Sequence, residues 1–124
     1  MKNNRKILVI EDNITMQKMF KKLLSPYGEI IQAFNLKEAA DKFTEEKDIT
    51  HIIVDGRLGK SLPNEKPNIT DELVVEMRKT FKGPMIAVSG DITHNEKLRL
   101  LGCDHSIIKE DSVFYIMELL DKEL

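Results

Sequence analysis

The stretch "ILVIEDN", Ile7 to Asn13, sets four apolar residues in a row against two adjacent carboxylates. Within "KILVI" (Lys6 to Ile10), the four residues after the lysine are continuously apolar rather than alternating, which reads as a strand buried on both faces. Buried strands do not ordinarily end by crowding two acids. Like charges held close raise each other's pKa and cost stability. Glu11 and Asp12 therefore call for a positive charge from elsewhere in the fold.

Outward from this strand, short apolar runs alternate with helical stripes. "ITMQKMFKKLL" places Met16, Met19, Phe20, Leu23 and Leu24 on one helical face, and "SPYG" (Ser25 to Gly28) ends it. "EIIQAF" is a second strand. "NLKEAADKFTEEK" follows with Asn35 as N-cap and Leu36, Ala39, Ala40 and Phe43 facing inward. "HIIVD" is a third strand ending in Asp55, and "TDELVVEMRKTF" a helix capped by Thr70 or Asp71 and stopped by Gly83-Pro84. "MIAVSG", "THNEKLRLLG", "HSIIK" and "SVFYIMELLDKEL" complete five strands and five helices. Such alternation predicts an α/β fold with a parallel sheet covered on both faces. Right-handed crossovers restrict it to a doubly wound, five-stranded, flavodoxin-like (βα)5 sheet with strand order 2-1-3-4-5. The one irregular stretch, Gly56 to Ile69, is long for a strand-to-helix loop.

Composition narrows the function classes. The 124 residues have a net charge of −2 and are 41% hydrophobic and 32% charged, which is too apolar for a disordered chain. That charge balance argues against a nonspecific nucleic-acid or membrane binder. A single cysteine, Cys103, precludes an internal disulfide and suits a reducing compartment. The apolar run behind "MKNNRK" is too short for a signal peptide, and no run is long enough to span a bilayer. A cytoplasmic location is expected, with no nucleic-acid partner and no membrane insertion.

In an open parallel sheet, ligands bind beyond the carboxyl ends of the strands. Those ends here carry Glu11 and Asp12, Asp55, Ser89, and Lys109. Three carboxylates repel one another unless a hard cation sits among them, and an all-oxygen set suits Mg²⁺. With that cation present, Asp55 can attack a phosphoryl group while Lys109 and Ser89 stabilise its oxygens.

These residues, read in order through "VIEDN", "AFNLKEAA", "HIIVD", "AVSG" and "GCDHSIIK", resemble the receiver domains of two-component response regulators over nearly the whole chain. The resemblance implies a single receiver domain over residues 1–124, of the stand-alone chemotaxis type with no output domain. It implies that Asp55 is the phosphoacceptor, with Ser89 and Lys109 holding the phosphoryl oxygens. Asp12, Asp55 and the backbone carbonyl of Arg57 would ligate Mg²⁺, and Glu11 would assist through water. The donor would be a sensor histidine kinase or phosphotransfer protein, or a small phosphodonor, and a downstream protein would read the result. Such a domain assists its own phosphorylation and dephosphorylation and is not an enzyme in the usual sense. Arg57 and Asp91 would flank the path of attacking water and could pair across the phosphoryl group.

Three positions depart from the family pattern. Ser106 stands where an aromatic switch residue is usual, Glu110 follows the lysine in place of proline, and Gly59 stands where the loop usually has proline. A degenerate receiver acting as an unphosphorylated scaffold is therefore an alternative. A haloacid-dehalogenase-like phosphatase is another, although Arg57 occupies the position where that family needs a second acid. A flavodoxin is disfavoured because acids, not a hydroxyl- and glycine-rich phosphate loop, follow the first strand. His51, His94 and His105 share no metal-ligand spacing and are read as surface or strand-edge residues. Cys103 is read as structural, and the "DKEL" charges as a solvated helix end.

Overall fold

The computed structural model describes residues 4–58 and 69–123. Strands β1 (Lys6–Ile10), β2 (Glu29–Ala33), β3 (His51–Asp55), β4 (Met85–Ser89) and β5 (His105–Ile108) are all parallel and lie in the order β2-β1-β3-β4-β5. The helices are α1 (Ile14–Leu24), α2 (Leu36–Glu45), α3 (Asp71–Arg78), α4 (Ile92–Leu101) and α5 (Ser112–Lys122). The doubly wound sheet expected from the alternation is the fold observed.

Side chains alternate across each strand, so one β1 supplies both halves of the core. Ile7 and Val9 join Phe20, Leu24, Ile53, Ile86, Val88, Ile116 and Leu120 beneath α1 and α5. Leu8 and Ile10 join Ile52, Val54, Val74, Met77, Met85 and Leu98 on the other face, toward α2, α3 and α4. Central β3 and β4 are buried at every residue, while edge strand β5 is only half-buried throughout. Burying one large aliphatic side chain contributes roughly 1.5–3 kcal/mol, so the central strands dominate stability.

Local chemistry sets the helix ends. Asn13 caps α1 by accepting from the Met16 N–H, and Asn35 caps α2 by accepting from the Glu38 N–H, as expected for Asn35. Gly102 ends α4 at φ +146°, where an L side chain would be strained and a Cβ would press on Arg78. Three expectations need correction. Met19 and Ala40 are exposed, because each lies at the margin of its helical stripe. Helix α3 ends at Arg78, well before Gly83-Pro84. Its last turn tightens as Thr80 N–H bonds to the Met77 carbonyl, and the Arg78 guanidinium satisfies the carbonyls of Phe81, Gly83 and Gly102. Thr70 is no side-chain cap either; its hydroxyl donates to the Asp55 carbonyl at 2.7 Å. Gly59 and most of the expected long loop lie outside the described residues.

Candidate phosphoryl and metal site

The carboxyl end of the sheet gathers the residues that the spacing singled out. Glu11 follows β1 directly, and Asp55, Ser89 and Lys109 close or follow β3, β4 and β5. Asp12, Asp55, Arg57, Ser89, Gly90, Asp91, His94 and Lys109 line one open cleft. Carboxylate oxygens of Glu11, Asp12 and Asp55 all lie within 4.8 Å of one another. Glu11 and Asp55 are buried, Asp12 is half-buried.

Among the described residues, Lys109 is the single ammonium beside these acids. Its Nζ is 3.1 Å from Asp55 Oδ2 and 3.2 Å from Glu11 Oε1. Burial works to lower the lysine's pKa, but the charges of Asp55 and Glu11 outweigh it and raise the value. The ammonium therefore stays charged, yet it does not neutralise the site. Burial, then the hydrogen bond and charge of Asp55, push the Glu11 carboxyl up to about 8. Glu11 Oε1 is also buried without an aligned hydrogen bond, despite its nearness to Lys109. A buried carboxyl group held protonated beside two further acids is the oxygen donor set a hard divalent cation takes in place of the proton, so the residues fit such an ion.

The surrounding sequence holds these acids in place. Gln17 Nε2 lies 3.0 Å from the carbonyls of Val9, Glu11 and Ala33, tying the ends of β1 and β2 behind the acid pair. Glu11 Oε2 accepts from the Asn13 N–H at 3.1 Å. Arg57 N–H donates to Asp55 Oδ1 at 3.3 Å, and Thr70 N–H to the Gly56 carbonyl at 3.1 Å. Arg57 pairs with Ile69 in an antiparallel bridge. The Thr70–Gly56 bond beside that bridge makes Arg57 a non-hydrogen-bonded pair, whose N–H and carbonyl both turn away from the partner strand. The Arg57 carbonyl thus shares the side of its N–H, toward Asp55. Ser89 Oγ accepts from the Asp91 N–H at 3.1 Å.

The Asp91 carboxylate caps α4, accepting from the N–H groups of Thr93 and His94, and among the described residues it makes no ion pair with Arg57. Two expectations change. His94 is not an ordinary surface residue but lines the cleft, with Nε2 2.7 Å from Asp71 Oδ1. His51 is buried and bonded to Glu123, so the "DKEL" end is not wholly solvated. Sequence reasoning also passed over Gln17 and Asn95, and read Thr70 only as a helix cap. The signal for Gln17 was present, since an amide in register with Phe20 and Leu24 on a buried stripe must find partners.

No protein-family model and no curated protein matches the sequence. Solved structures do match. A response regulator from Burkholderia pseudomallei, whose structure holds a phosphorylated aspartic acid, a calcium ion and citrate, aligns with a TM-score of 0.78 at 23% identity. That match covers 94% of this chain and 66% of the other. A CheY-like response regulator receiver domain protein from Methanospirillum hungatei gives a TM-score of 0.75 at 21% identity, covering 95% of this chain and 94% of that one. The Vibrio cholerae chemotaxis protein CheY4 gives 0.73 at 19%, covering 97% and 98%. This chain has the receiver-domain fold. The receiver fold expected from "VIEDN", "HIIVD", "AVSG" and the lysine of β5 is therefore the one found. Among the described residues no helix is long and apolar enough to cross a membrane.

Proposed function

We propose that this receiver-fold chain is a phosphoacceptor of two-component signalling. Asp55 accepts a phosphoryl group from a sensor histidine kinase, a phosphotransfer protein or a small phosphodonor, and the altered surface changes binding to a downstream protein. The observation that carries the reading is the placement of Lys109 against Asp55 and Glu11, with Asp12 beside them.

The chain's own residues account for most of the chemistry. Asp55 Oδ is the nucleophile; its bond to phosphorus forms as the donor's bond from phosphorus to an imidazole nitrogen or acyl oxygen breaks and the donor leaves. Lys109, already 3.1 Å away, neutralises charge as it builds on the phosphoryl oxygens. Ser89, one strand over, offers its hydroxyl to a second oxygen. Asp12, Asp55 and the Arg57 carbonyl would hold Mg²⁺, with Glu11 assisting through water. That ion would draw the phosphoryl oxygens toward Asp55 and offset the repulsion among the acids. The calcium ion and phosphorylated aspartic acid of the Burkholderia pseudomallei protein support this assignment by analogy of fold. A dehalogenase-like phosphatase lacks support, since the position of its second acid is Arg57.

Mass spectrometry after incubation with acetyl phosphate and Mg²⁺ tests the reading. The wild type is expected to gain one phosphoryl group, and Asp55→Asn none. A wild type that remains unlabelled by acetyl phosphate and by any histidine kinase would favour the scaffold alternative, which the small Ser106 keeps in view.

A further inference from the structure

His94 is the one imidazole at the cleft, and its place there is set from a distance. It sits in the first turn of α4, where the Asp91 cap accepts from its N–H. Its Nε2 is 2.7 Å from Asp71 Oδ1 at the start of α3, and Asp71 Oδ2 is 2.8 Å from Lys97 Nζ. Burial acts to raise the Asp71 pKa, but the hydrogen bonds from His94 and Lys97 outweigh it and lower the value. The carboxylate is thus the acceptor, and Nε2 carries the proton it donates.

The other edge of the ring meets the residue after Asp55. A Cβ placed on Gly56 would lie 2.7 Å from His94 Nδ1 and 2.9 Å from its Cε1, closer than real contacts allow. The imidazole occupies the space a side chain at position 56 would fill. Among the described residues, Gly56 is also flanked by Ser89 Cβ, 3.3 Å from the same Cβ position, and held through its backbone by Gly56 N–H to the Val88 carbonyl and Thr70 N–H to the Gly56 carbonyl, each at 3.1 Å. Backbone bonds fix its height on the sheet, while the ring fixes how far it can swing toward α4.

We propose that His94, anchored by Asp71, is a positioning residue of the phosphoryl site. Its ring braces Gly56, and through Gly56 sets where the Asp55 carboxylate and the Arg57 carbonyl stand. This rests on the phosphoacceptor reading for its functional consequence, but the brace itself does not. A glycine without a neighbour filling the missing side chain would leave this joint loose, and misplacing a reacting group by about 1 Å costs roughly a hundredfold in rate.

The test is a double-mutant cycle on the whole chain with His94→Ala, His94→Gln, Gly56→Ala and Gly56→Ala/His94→Ala. Labelling by acetyl phosphate is followed against donor concentration, and Mg²⁺ affinity by calorimetry. His94→Ala is expected to lower the maximal labelling rate by about tenfold to a hundredfold, leave the half-saturating donor concentration nearly unchanged, and weaken Mg²⁺ binding. His94→Gln, which can still reach Asp71, should fall closer to wild type. Gly56→Ala alone should be impaired by collision with the ring, and the double variant should recover part of that loss. A wild-type rate and Mg²⁺ affinity in His94→Ala would overturn the proposal, as would a double variant no better than Gly56→Ala. If the wild type is never labelled, the phosphoacceptor reading fails, while Mg²⁺ affinity and urea stability across the same cycle still decide the brace. Should His94→Ala not fold, Gly56→Ala against Gly56→Ala/His94→Gln carries the comparison.

Discussion

The two ends of the sheet both bury charge, but they balance it differently. At the amino end, Arg5 Nε lies 3.1 Å from Glu123 Oε1, and His51 Nε2 lies 2.9 Å from Glu123 Oε2. Arg5 also donates to the Leu120 carbonyl at 2.7 Å and stacks over the Tyr27 ring. Bases there meet an acid and a carbonyl, and the network fastens the end of α5 beneath β1 and β3. At the carboxyl end, Glu11, Asp12 and Asp55 face one lysine among the described residues, Lys109. The amino-end bases are matched in charge by Glu123, although Arg5 Nη1 stays without a hydrogen bond, whereas the carboxyl end leaves acids in excess of the lysine. The contrast sets a charge-matched network against an acid-rich cluster, and the second is the one proposed to hold a cation.

Removing an acid from each end should sharpen this contrast. The largest effect is expected for Asp12→Asn, which deletes a proposed charged ligand. Mg²⁺ affinity should fall at least about tenfold, the range seen when even an outer partner of a metal ligand is lost. Metal-free Asp12→Asn should be no less stable than wild type, because the change relieves repulsion. Calorimetric titration and urea unfolding without metal check both halves, and a destabilised metal-free variant would erase the distinction.

At the other end, Arg5→Ala should do the reverse. It removes hydrogen bonds from a guanidinium that is only 9% exposed, each charged bond contributing roughly 1.5–3 kcal/mol. A net loss of about 2 kcal/mol is expected by urea denaturation, because Glu123 keeps His51. Mg²⁺ affinity should stay at the wild-type value. A change in metal binding here would mean the two ends are not independent.

Asp71 lies between these cases, at the site's edge but with its charge matched. Its folded pKa is lowered from the ordinary 3.8, so it contributes stability that is fully present above that value. The contribution is lost as pH falls through the still lower folded value. The stability gap between wild type and Asp71→Asn should thus hold from neutral pH to about 4 and close below it. Chemical denaturation at several pH values measures this gap, and one that closed near pH 6 would point to a different titrating group.

The difference between the ends also explains what could be read in the sequence. Continuous apolar runs such as Ile52 to Val54 and Ile86 to Val88 announce doubly buried strands, and a parallel sheet carries whatever follows them to one edge. Glu11, Asp55, Ser89 and Lys109 were legible for that reason. His94, Thr70 and Glu123 were not, because their meaning lies in partners far along the chain: Asp71, the Asp55 carbonyl and His51. Each looks like an ordinary polar residue of a helix end until the fold brings its partner close. The end of α3 was missed likewise, since the Arg78 side chain bonds carbonyls as far away as Gly102.

The smallest expected effect concerns β5, where phosphorylation should leave little trace. An aromatic switch moves a large apolar surface, whereas Ser106 is half-buried with no such surface, its backbone in register with Ala87. Changes at Ser89 have a shorter route. Ser89 Oγ holds the Asp91 N–H, Asp91 caps α4, and Asn95 Nδ2 reaches the Ser89 carbonyl at 3.3 Å. A hydroxyl drawn toward a phosphoryl oxygen must release or carry that turn. Amide exchange with a fluoroberyllate mimic is therefore expected to change over Gly90 to Glu96 and in the segment from Gly56 to Ile69, of which 59–68 lie outside the described residues. Asn95 Nδ2 also reaches the Ile107 carbonyl at 3.1 Å, so a displaced α4 has one path into β5. That path ends on a carbonyl, not on an exchanging N–H, and the β4–β5 ladder holds Ile107 against Val88. Protection at Ser106 and along α5 should thus remain near its unphosphorylated level. If the largest change appeared there instead, the signal would leave through β5 after all, and the departure at Ser106 would not alter the switch.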